Sequence, residues 1–398
     1  MVRPAHHFLL FFILSSVLGC GSVTETTNPP PAPSANPAPA PIPTTDPNNP
    51  QGNSAFLLTS DFKTIGTYST LSLLPTRQAN SNLGTTHTDA VVRSFGNLLY
   101  IINRKGQDNI QVVDPAQNFK TISQYSVGKA TNPHDIFVLS PITAYVTLYE
   151  PEANSSSFPV DDLLILNPTT GEIRQRIDLQ PYTDLMGDHL PRADRLLFIN
   201  NKLYVTIQDL SPDFKPKTNG KVVVIDTITN SVERVIPLQG RNPFTMKYST
   251  VQKLIYLPLA DFTDTNSPYG GIEIVDPVTF SSKGIIIDDR DLGGAPGDLE
   301  LNNSFGFVTI GFTDQAGSFQ TKVVRFNPDP AGPANLQTVY TSKAYVPEIA
   351  LLGDDMLLVG DADPAVSGIL IFNPLDLSKI DGPISVGAPP VDITFFNR

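Results

Sequence analysis

The sequence contains a single cysteine, no tryptophan and only four methionines among its 398 residues. One cysteine excludes a disulfide within the chain, a CxxCH haem attachment and a zinc site built on several cysteines. Basic residues are also scarce, because 27 Lys and Arg face 39 Asp and Glu and leave a formal net charge of −12. A protein that binds the phosphate backbone needs a basic surface, so no nucleic-acid partner is expected.

Glycine and proline are plentiful, with 27 and 37 residues, and they favour a turn-rich chain over one made of long helices. Hydrophobic residues make up 40% of the sequence, which is enough for a sizeable core. The motifs G-x-S-x-G, H-E-x-x-H and G-x-x-x-x-G-K-S/T do not occur. Composition and motifs therefore favour a punctuated fold and identify no reaction.

Residues 1–19 have the features of a secretory signal peptide. Arg3 precedes an unbroken apolar stretch over residues 8–14, and this stretch is far shorter than the roughly 20 residues that span a bilayer. The ending Val17-Leu18-Gly19-Cys20 resembles the bacterial lipobox, in which the cysteine is acylated and becomes the first residue of the mature protein. The resemblance implies lipidation at Cys20, for example with palmitate, and a membrane partner reached through that lipid.

Residues 20–53 are dominated by Thr, Asn, Ala and Pro. Ten prolines fall between Pro29 and Pro50, so we expect a disordered, extended tether without a core. By resemblance to the sorting rules of Gram-negative bacteria, Gly21 after the cysteine implies delivery to the outer membrane, at its periplasmic face or at the cell surface. The folded domain is predicted over residues 54–398.

An apolar strand that ends in Asp or Asn recurs six times. The repeats end at residues that are 46 to 59 positions apart, namely Asp114, Asn167, Asp226, Asp276, Asn327 and Asn373. Such a period is typical of the four-stranded blades of a propeller. The Asp or Asn side chain can close a turn, and proline follows it in five of the six repeats. Each motif therefore predicts a strand followed by a hairpin.

Three further short strands accompany each repeat. After the sixth repeat the chain retains only an innermost strand, at 389–396, whereas 55–61 and 68–74 supply outer strands that lack an innermost one. Joining the two ends completes a seventh blade and removes the exposed edges of an open array. The sequence thus predicts an all-β fold, a seven-bladed β-propeller of four-stranded blades whose ring is closed by N- and C-terminal strands that share one blade. A solenoid with frayed ends is the alternative.

The repeats resemble the YVTN-type, quinoprotein-like seven-bladed β-propellers of bacteria. The best match is Leu203-Tyr204-Val205-Thr206 with Val223-Val224-Ile225-Asp226-Thr227, and the next is Ala144-Tyr145-Val146-Thr147 with Ile165-Leu166-Asn167-Pro168. With the lipobox, the chain resembles a bacterial lipoprotein that carries such a propeller. Members of this broad class serve as binding scaffolds, envelope proteins, lactonases or redox enzymes, so the resemblance leaves the function open. The lack of tryptophan argues against WD repeats and against quinone sites that stack the cofactor on tryptophan.

The entries to the innermost strands predict an acidic ring near the central channel. Six of the seven entries carry a carboxylate, and we call these the entry carboxylates: Asp89, Asp135, Asp194, Asp298, Glu348 and Asp392. His134 lies beside them, and the seven residues together form the predicted ligand-binding funnel. Four long loops are predicted on the same face, at 150–161, 209–220, 261–270 and 313–320, and long loops on a rigid scaffold commonly carry function.

Like charges at such short distances repel, so the ring requires a cation, hydrogen-bonding partners or protons. Oxygen donors suit a hard ion, and the expected cofactor is calcium, held by Asp89, Asp135, Asp298, Glu348 and Asp392. In the alternative, each carboxylate caps the backbone of its own turn. Either His87 or His134 is a candidate ligand or general base, although a single histidine in a loop more often packs against a turn.

These features favour a monomeric, non-enzymatic binding or scaffold protein anchored in the cell envelope, with a protein, a glycan or a small cation as partner. The alternative is a calcium-dependent hydrolase of the seven-bladed lactonase type. A third interpretation is a structural part of an envelope-assembly machine.

Overall fold

The computed structural model describes residues 53–74, 76–150, 162–184, 189–261 and 269–396. The signal peptide, Cys20 and nearly all of the predicted tether lie outside the described residues. The described chain forms 28 strands: β1 Ser54–Ser60, β2 Gly66–Ser72, β3 Gln78–Thr86, β4 Ala90–Phe95, β5 Leu98–Asn103, β6 Asn109–Asp114, β7 Lys120–Ser126, β8 Pro133–Ser140, β9 Thr143–Leu148, β10 Leu163–Leu166, β11 Ile173–Ile177, β12 Ala193–Ile199, β13 Lys202–Ile207, β14 Lys221–Asp226, β15 Ser231–Pro237, β16 Lys247–Ser249, β17 Leu254–Leu259, β18 Gly271–Asp276, β19 Ser281–Asp288, β20 Ala295–Leu301, β21 Gly306–Thr313, β22 Phe319–Phe326, β23 Gln337–Ser342, β24 Glu348–Leu352, β25 Met356–Asp361, β26 Gly368–Phe372, β27 Lys379–Ile384 and β28 Pro390–Phe396.

The strands form seven antiparallel sheets of four strands each, and these are the predicted blades. Blades 1 to 6 are consecutive groups of four strands, from β4–β7 to β24–β27. Blade 7 has the order β28-β1-β2-β3, so the two ends of the chain share it. Leu57 of β1 pairs with Ile393 of β28 on one side and with Ser69 of β2 on the other. The all-β fold and the closure of the ring are thereby confirmed.

The core consists of seven hydrophobic clusters, one between each pair of neighbouring blades. Alternate residues of one strand serve two clusters, because side chains in a strand point alternately to its two faces. Leu99 and Ile101 of β5 pack toward blade 7, whereas Tyr100 and Ile102 pack toward blade 2. The middle strands are therefore apolar along their whole length, as the repeats predicted.

The innermost strands β4, β8, β12, β16, β20, β24 and β28 all begin at one end of the ring. We call this end the mouth face and the opposite end the turn face. Asp and Asn close the hairpins of the turn face as predicted: Asp226 Oδ1 accepts hydrogen bonds from the backbone amides of Ile228 and Thr229, at 2.8 and 3.1 Å. Asp276 makes the same two contacts with Val278 and Thr279.

One predicted loop of the mouth face is wrong. Residues 313–320 form a tight hairpin, because β21 and β22 stay paired as far as Thr313 and Phe319. Residues 151–161 and 262–268, which make up most of two other predicted loops, lie outside the described residues.

Helical structure is confined to two 3-10 turns, Pro115–Gln117 and Gln180–Tyr182, and the four-residue helix α1, Asp289–Leu292, within the described ranges. Among these residues no helix has both the length and the apolar character needed to cross a membrane.

Candidate functional site

Asp135, at the start of β8, holds two blades together at the mouth face. Its Oδ1 accepts a hydrogen bond from the amide of Ile136 at 3.0 Å, and its Oδ2 accepts one from the amide of Leu196 in blade 3 at 2.9 Å. Its own amide donates to Thr147 Oγ1, which in turn donates to the carbonyl oxygen of Asp194 at 2.7 Å. The carboxylate therefore links the innermost strands of adjacent blades.

Two further entry carboxylates repeat this arrangement. Asp392 accepts hydrogen bonds from its neighbour Ile393 and from the amide of Val92 in blade 1, both at 2.8 Å. Asp298 accepts one from its neighbour Leu299 and one from the amide of Ile349 in blade 6, at 3.0 Å for the latter. We call Asp135, Asp298 and Asp392 the ring carboxylates. They combine the predicted capping of the local backbone with a contact to the next blade that was not predicted.

Cations of the chain itself lie among these carboxylates. Arg93 of β4 lies between two of them, with Nε 2.7 Å from Asp135 Oδ1 and Nη1 3.3 Å from Asp392 Oδ2. Lys247 Nζ of β16 lies 2.8 Å from Glu300 Oε1 of β20. The side chain of Arg93 is 32% exposed, whereas that of Asp135 is only 4% exposed. Arg93 consequently keeps more contact with solvent than the two carboxylates that it joins.

Protons provide the remaining compensation for the acidic ring. Burial, opposed in part by Lys247, raises the pKa of Glu300 to about 7. Burial also raises the pKa of Glu348 well above its usual value, and the charges of Asp298 and Asp392 add to the effect. Among the described residues, Glu348 has no hydrogen-bonding or ion-pairing partner for its carboxylate. Its carboxylate oxygens could therefore accept hydrogen bonds from a ligand.

Two entry carboxylates lie outside the ring. Asp89 precedes β4, is 52% exposed and forms an ion pair with Arg104. In blade 3 the residue equivalent to Asp135 is Arg195 and not Asp194. The amide of Arg195 donates to Thr206 Oγ1 at 2.9 Å, just as that of Asp135 donates to Thr147 Oγ1. Asp194 itself points to a different cluster. The sequence pattern thus located the entries correctly but not which residue faces the channel.

The second cluster centres on Asp194. Its Oδ1 lies 3.0 Å from Nδ1 of His134, and its Oδ2 accepts a hydrogen bond from Gln208 Nε2 at 2.9 Å. The imidazole of His134 stacks on the ring of Tyr149, with 4.0 Å between the centroids and 4° between the planes. The hydroxyl of Tyr149 donates to Gln208 Oε1 at 2.6 Å. A carboxylate, an amide and an imidazole therefore meet at one point of the mouth.

The protonation states of this cluster follow from its surroundings. Burial lowers the pKa of His134, and the positive charges of Arg104 and Arg195 act in the same direction against Asp194. Although burial opposes ionisation of Asp194, Arg195 and the contact with His134 lower its pKa to about 2. At neutral pH the pair is a carboxylate and a neutral imidazole whose Nδ1 donates to Asp194, which leaves Nε2 as the unprotonated nitrogen.

An aromatic pair lies on the other side of the mouth, in blades 5 and 6. The rings of Phe319 and Tyr345 are 42% and 50% exposed, and their centroids are 6.4 Å apart at an angle of 48°. Tyr345 precedes β24, three residues before Glu348. Burial of its hydroxyl end, together with the negative charges of Glu348 and Asp298, raises the pKa of Tyr345 to about 12. Exposed aromatic faces and an unpartnered carboxylate are therefore neighbours.

Four of the five residues expected to hold calcium have other partners in this structure. The oxygens of the ring carboxylates accept backbone hydrogen bonds, and Asp89 pairs with Arg104 away from the ring. No group of three His, Cys, Asp or Glu side chains that could hold a metal ion occurs in the described part of the chain. Calcium binding by these residues stays a prediction.

Four charged residues of the site were not anticipated: Arg93, Arg195, Lys247 and Glu300. Each lies within or at the start of an innermost strand, and Arg93 is the single charge of β4, in the run Ala90-Val91-Val92-Arg93. A single charge in an apolar strand is the signal that would have identified Arg93, because buried charges are retained when they are paired. The strands of the other three residues carry a second charge or are too short to give this signal.

The fold is that of a seven-bladed β-propeller. Comparisons with known proteins support this class of fold and do not identify a family. No protein-family model matches the sequence, and no curated protein matches it. Similar solved structures include a candidate 6-phosphogluconolactonase from Bacteroides fragilis, with a TM-score of 0.55 and 12% identity over 86% of this chain and 97% of that one.

A second candidate 6-phosphogluconolactonase, from Bacteroides uniformis, is similar with a TM-score of 0.55 and 11% identity over 86% of this chain and 98% of that one. The hydrazine synthase of Kuenenia stuttgartiensis is similar with a TM-score of 0.52 and 14% identity, covering 70% of this chain and 74% of that one. At these identities the likeness shows the fold alone.

Proposed function

We propose that the protein is a lipid-anchored, non-catalytic binding protein of the cell envelope whose ligand site is the mouth of the propeller. The observation that carries the proposal is a difference among the entry carboxylates in their hydrogen-bonding partners. Asp135, Asp298 and Asp392 are engaged by backbone amides, whereas Glu348 has no such partner in the described part of the chain. The charge of Glu348 reaches the hydroxyl of Tyr345, whose exposed ring is next to that of Phe319. The ring carboxylates stabilise the scaffold, and Glu348 is left for a ligand.

The chemistry of this corner favours a cationic group. Aromatic faces attract cations, and rings arranged around a carboxylate are typical of sites for alkylated ammonium groups. A small organic cation fits this description, and so does the cationic side chain of a partner protein; a glycan would use the same rings through its apolar faces. Because the pKa of Glu348 is raised, binding of a cation should release a proton and strengthen as the pH rises.

Calorimetric titration of the mature protein with choline tests the binding site. Choline should bind saturably, and Tyr345→Ala and Glu348→Gln should each weaken binding by about tenfold, which corresponds to about 1.4 kcal/mol. Glu172→Gln is the matched control, since Glu172 lies in an exposed hairpin of the turn face. Absence of binding heat with the unmodified protein, or equal affinities in all four proteins, would contradict the cation site.

The anchoring rests on the sequence. Lipidation at Cys20 would attach the chain to the outer membrane, and residues 21–53 would hold the propeller away from the lipid. Cys20→Ala should therefore appear in the soluble or unprocessed fraction of cells. Unchanged retention in outer-membrane fractions would defeat this part of the proposal.

A second candidate function is lactone hydrolysis. It is favoured by the meeting of His134, Asp194 and Gln208 at the mouth, and by the likeness to two propellers described as candidate 6-phosphogluconolactonases. Asp194 would fix the imidazole, and Nε2 of His134 would take a proton from the water that attacks the lactone carbonyl carbon. The ring C–O bond to that carbon would then break, and His134 would return the proton to the leaving oxygen. Hydrolysis of simple sugar lactones, abolished in His134→Gln and retained in His87→Gln, would establish this activity in place of the binding role.

A further inference from the structure

The turn face carries six exposed apolar side chains. The two most exposed large apolar residues of the described chain, Ile228 at 80% and Val278 at 76%, both lie in hairpins of this face. Four more exposed apolar side chains share the face and are spread around the ring: Leu74, Ile142, Val251 and Leu375. We call these six residues the apolar tips.

The folded hairpins do not need these side chains. At Ile228 and Val278 the turn is held through the backbone, whose amides donate to Asp226 and Asp276. A polar residue would fit both positions equally well and would interact with water more favourably. Single apolar residues are common on protein surfaces, but five blades present one or two of them toward the same side.

The chain enters the propeller on this same face. Ser54, the first residue of β1, pairs with Phe396, the last residue of β28, and β28 runs from the mouth face to the turn face. Ser54 therefore joins the propeller to the preceding part of the chain at the end of the ring that carries the apolar tips. If Cys20 carries the lipid, the tether connects the membrane to the turn face and not to the mouth.

The charge around the tips is mixed. The hairpins of Ile142, Ile228 and Val278 contain no charged residue after the capping position, whereas Asp376 follows Leu375 and two aspartates lie in the hairpin between β24 and β25. The entry carboxylates, which account for much of the acidic character of the channel, lie at the opposite end of the innermost strands.

We infer that the turn face docks onto the lipid surface to which the chain is anchored, with the apolar tips inserted among the headgroups and the mouth directed away from the membrane. This inference rests on the proposed lipid anchor. The tips supply a weak interfacial contact of the kind that needs a second signal for stable attachment, and the acyl chains on Cys20 supply that signal. The docked orientation keeps the ligand site open to partners.

The lack of tryptophan allows a direct test, because a single introduced tryptophan reports on one position. Lipidated, full-length mature protein is reconstituted with vesicles made mainly of phosphatidylethanolamine with a minor part of phosphatidylglycerol. Ile228→Trp and Val278→Trp should show a blue-shifted emission and on the order of twofold quenching by brominated acyl chains, since inserted tips reach the acyl boundary. Phe319→Trp, on the mouth face, should show neither effect.

The outcomes separate the inference from the anchor. Protein that floats with the vesicles while tryptophan at 228 and 278 behaves like tryptophan at 319 overturns the docking and leaves the anchor intact. Protein that does not float with the vesicles overturns both. The substitutions are at exposed positions, so circular dichroism and melting curves like those of the unmodified protein will show that the variants fold.

Discussion

Asp135 shows at the scale of a single residue why carboxylates line the channel. A strand entry at the mouth leaves backbone amides of two blades near one point, and a carboxylate can accept from both while it pairs with Arg93. A buried carboxylate with three such partners is compensated without an added ion. The entry carboxylates were expected from the sequence to repel one another. Backbone amides, Arg93, Lys247 and bound protons offset this repulsion.

Within the described chain the carboxylate of Glu348 accepts no such backbone hydrogen bond, and replacement of Glu348 by glutamine should stabilise the protein above about pH 5. Its folded-state pKa is raised, so the folded state holds a proton that the unfolded state releases above about pH 4.3. The free energy of unfolding then falls as the pH rises, by at most about 1.4 kcal/mol per pH unit for this group.

We therefore expect Glu348→Gln to match the unmodified protein near pH 4 and to become progressively more stable than it between pH 5 and pH 8. Urea unfolding at a series of pH values measures the difference, with Glu172→Gln as the exposed control. A variant that is less stable than the unmodified protein at pH 8 would show that ionised Glu348 makes a favourable contact in the folded state, which would contradict the prediction.

At the scale of elements, tyrosine hydroxyls connect three successive blades, blades 2 to 4, to the blade that follows each of them. Tyr145 in β9 donates to Asn230 Oδ1 at 2.6 Å, and Tyr204 in β13 donates to the carbonyl oxygen of Pro277 at 3.2 Å. Tyr256 in β17 reaches the carbonyl oxygen of Pro328 in the same way. Each acceptor lies in the hairpin between the third and fourth strands of the following blade. The tyrosine of the repeated strand therefore has a physical role in ordering the ring.

Removal of one such hydroxyl should cost about 1 to 2 kcal/mol, because it leaves a hydrogen-bonding group unsatisfied at a blade interface. Tyr145→Phe is the sharpest test, since its contact with Asn230 is short and its ring is fully buried. Equilibrium unfolding in urea gives the difference, and Tyr182→Phe, in the 3-10 turn Gln180–Tyr182, is the control. A loss no larger than that of the control would show that the hydroxyl does not contribute to blade order.

The elements themselves were largely predictable. The strands expected at 55–61 and 389–396 are β1 and β28, because apolar runs bounded by turn residues identify strands. The site was less so. Whether Asp194 or Arg195 faces the channel depends on a register shift between β12 and β13, and the pairing of Arg93 with Asp392 depends on two ends of the chain meeting. Such contacts join distant segments and leave no local pattern.

At the scale of the whole molecule, stability depends on ring closure. Strand β28 lies between β1 and the channel, and its residues Phe395 and Phe396 serve the clusters on both sides of blade 7. Deletion of residues 391–398 would remove Asp392 together with both rings, and would expose the apolar edge of β1.

The truncated protein should melt several degrees lower than the full chain and should aggregate on heating. Differential scanning calorimetry measures the shift. Melting within a degree or two of the full-length protein would mean that the terminal strand adds little to closure and that the seventh blade is stable without it.

The central claim about this molecule is that the ring carboxylates hold the propeller together by accepting hydrogen bonds from backbone amides of adjacent blades. Thermal melting of chelator-treated protein with and without calcium, repeated on Asp135→Asn/Asp298→Asn, tests it most directly. We expect calcium to leave the melting temperature of the unmodified protein unchanged and the double variant to melt lower in either condition, because it loses contacts between blades. A calcium-dependent rise in melting temperature that the double variant lacks would contradict the claim and support the calcium-dependent hydrolase.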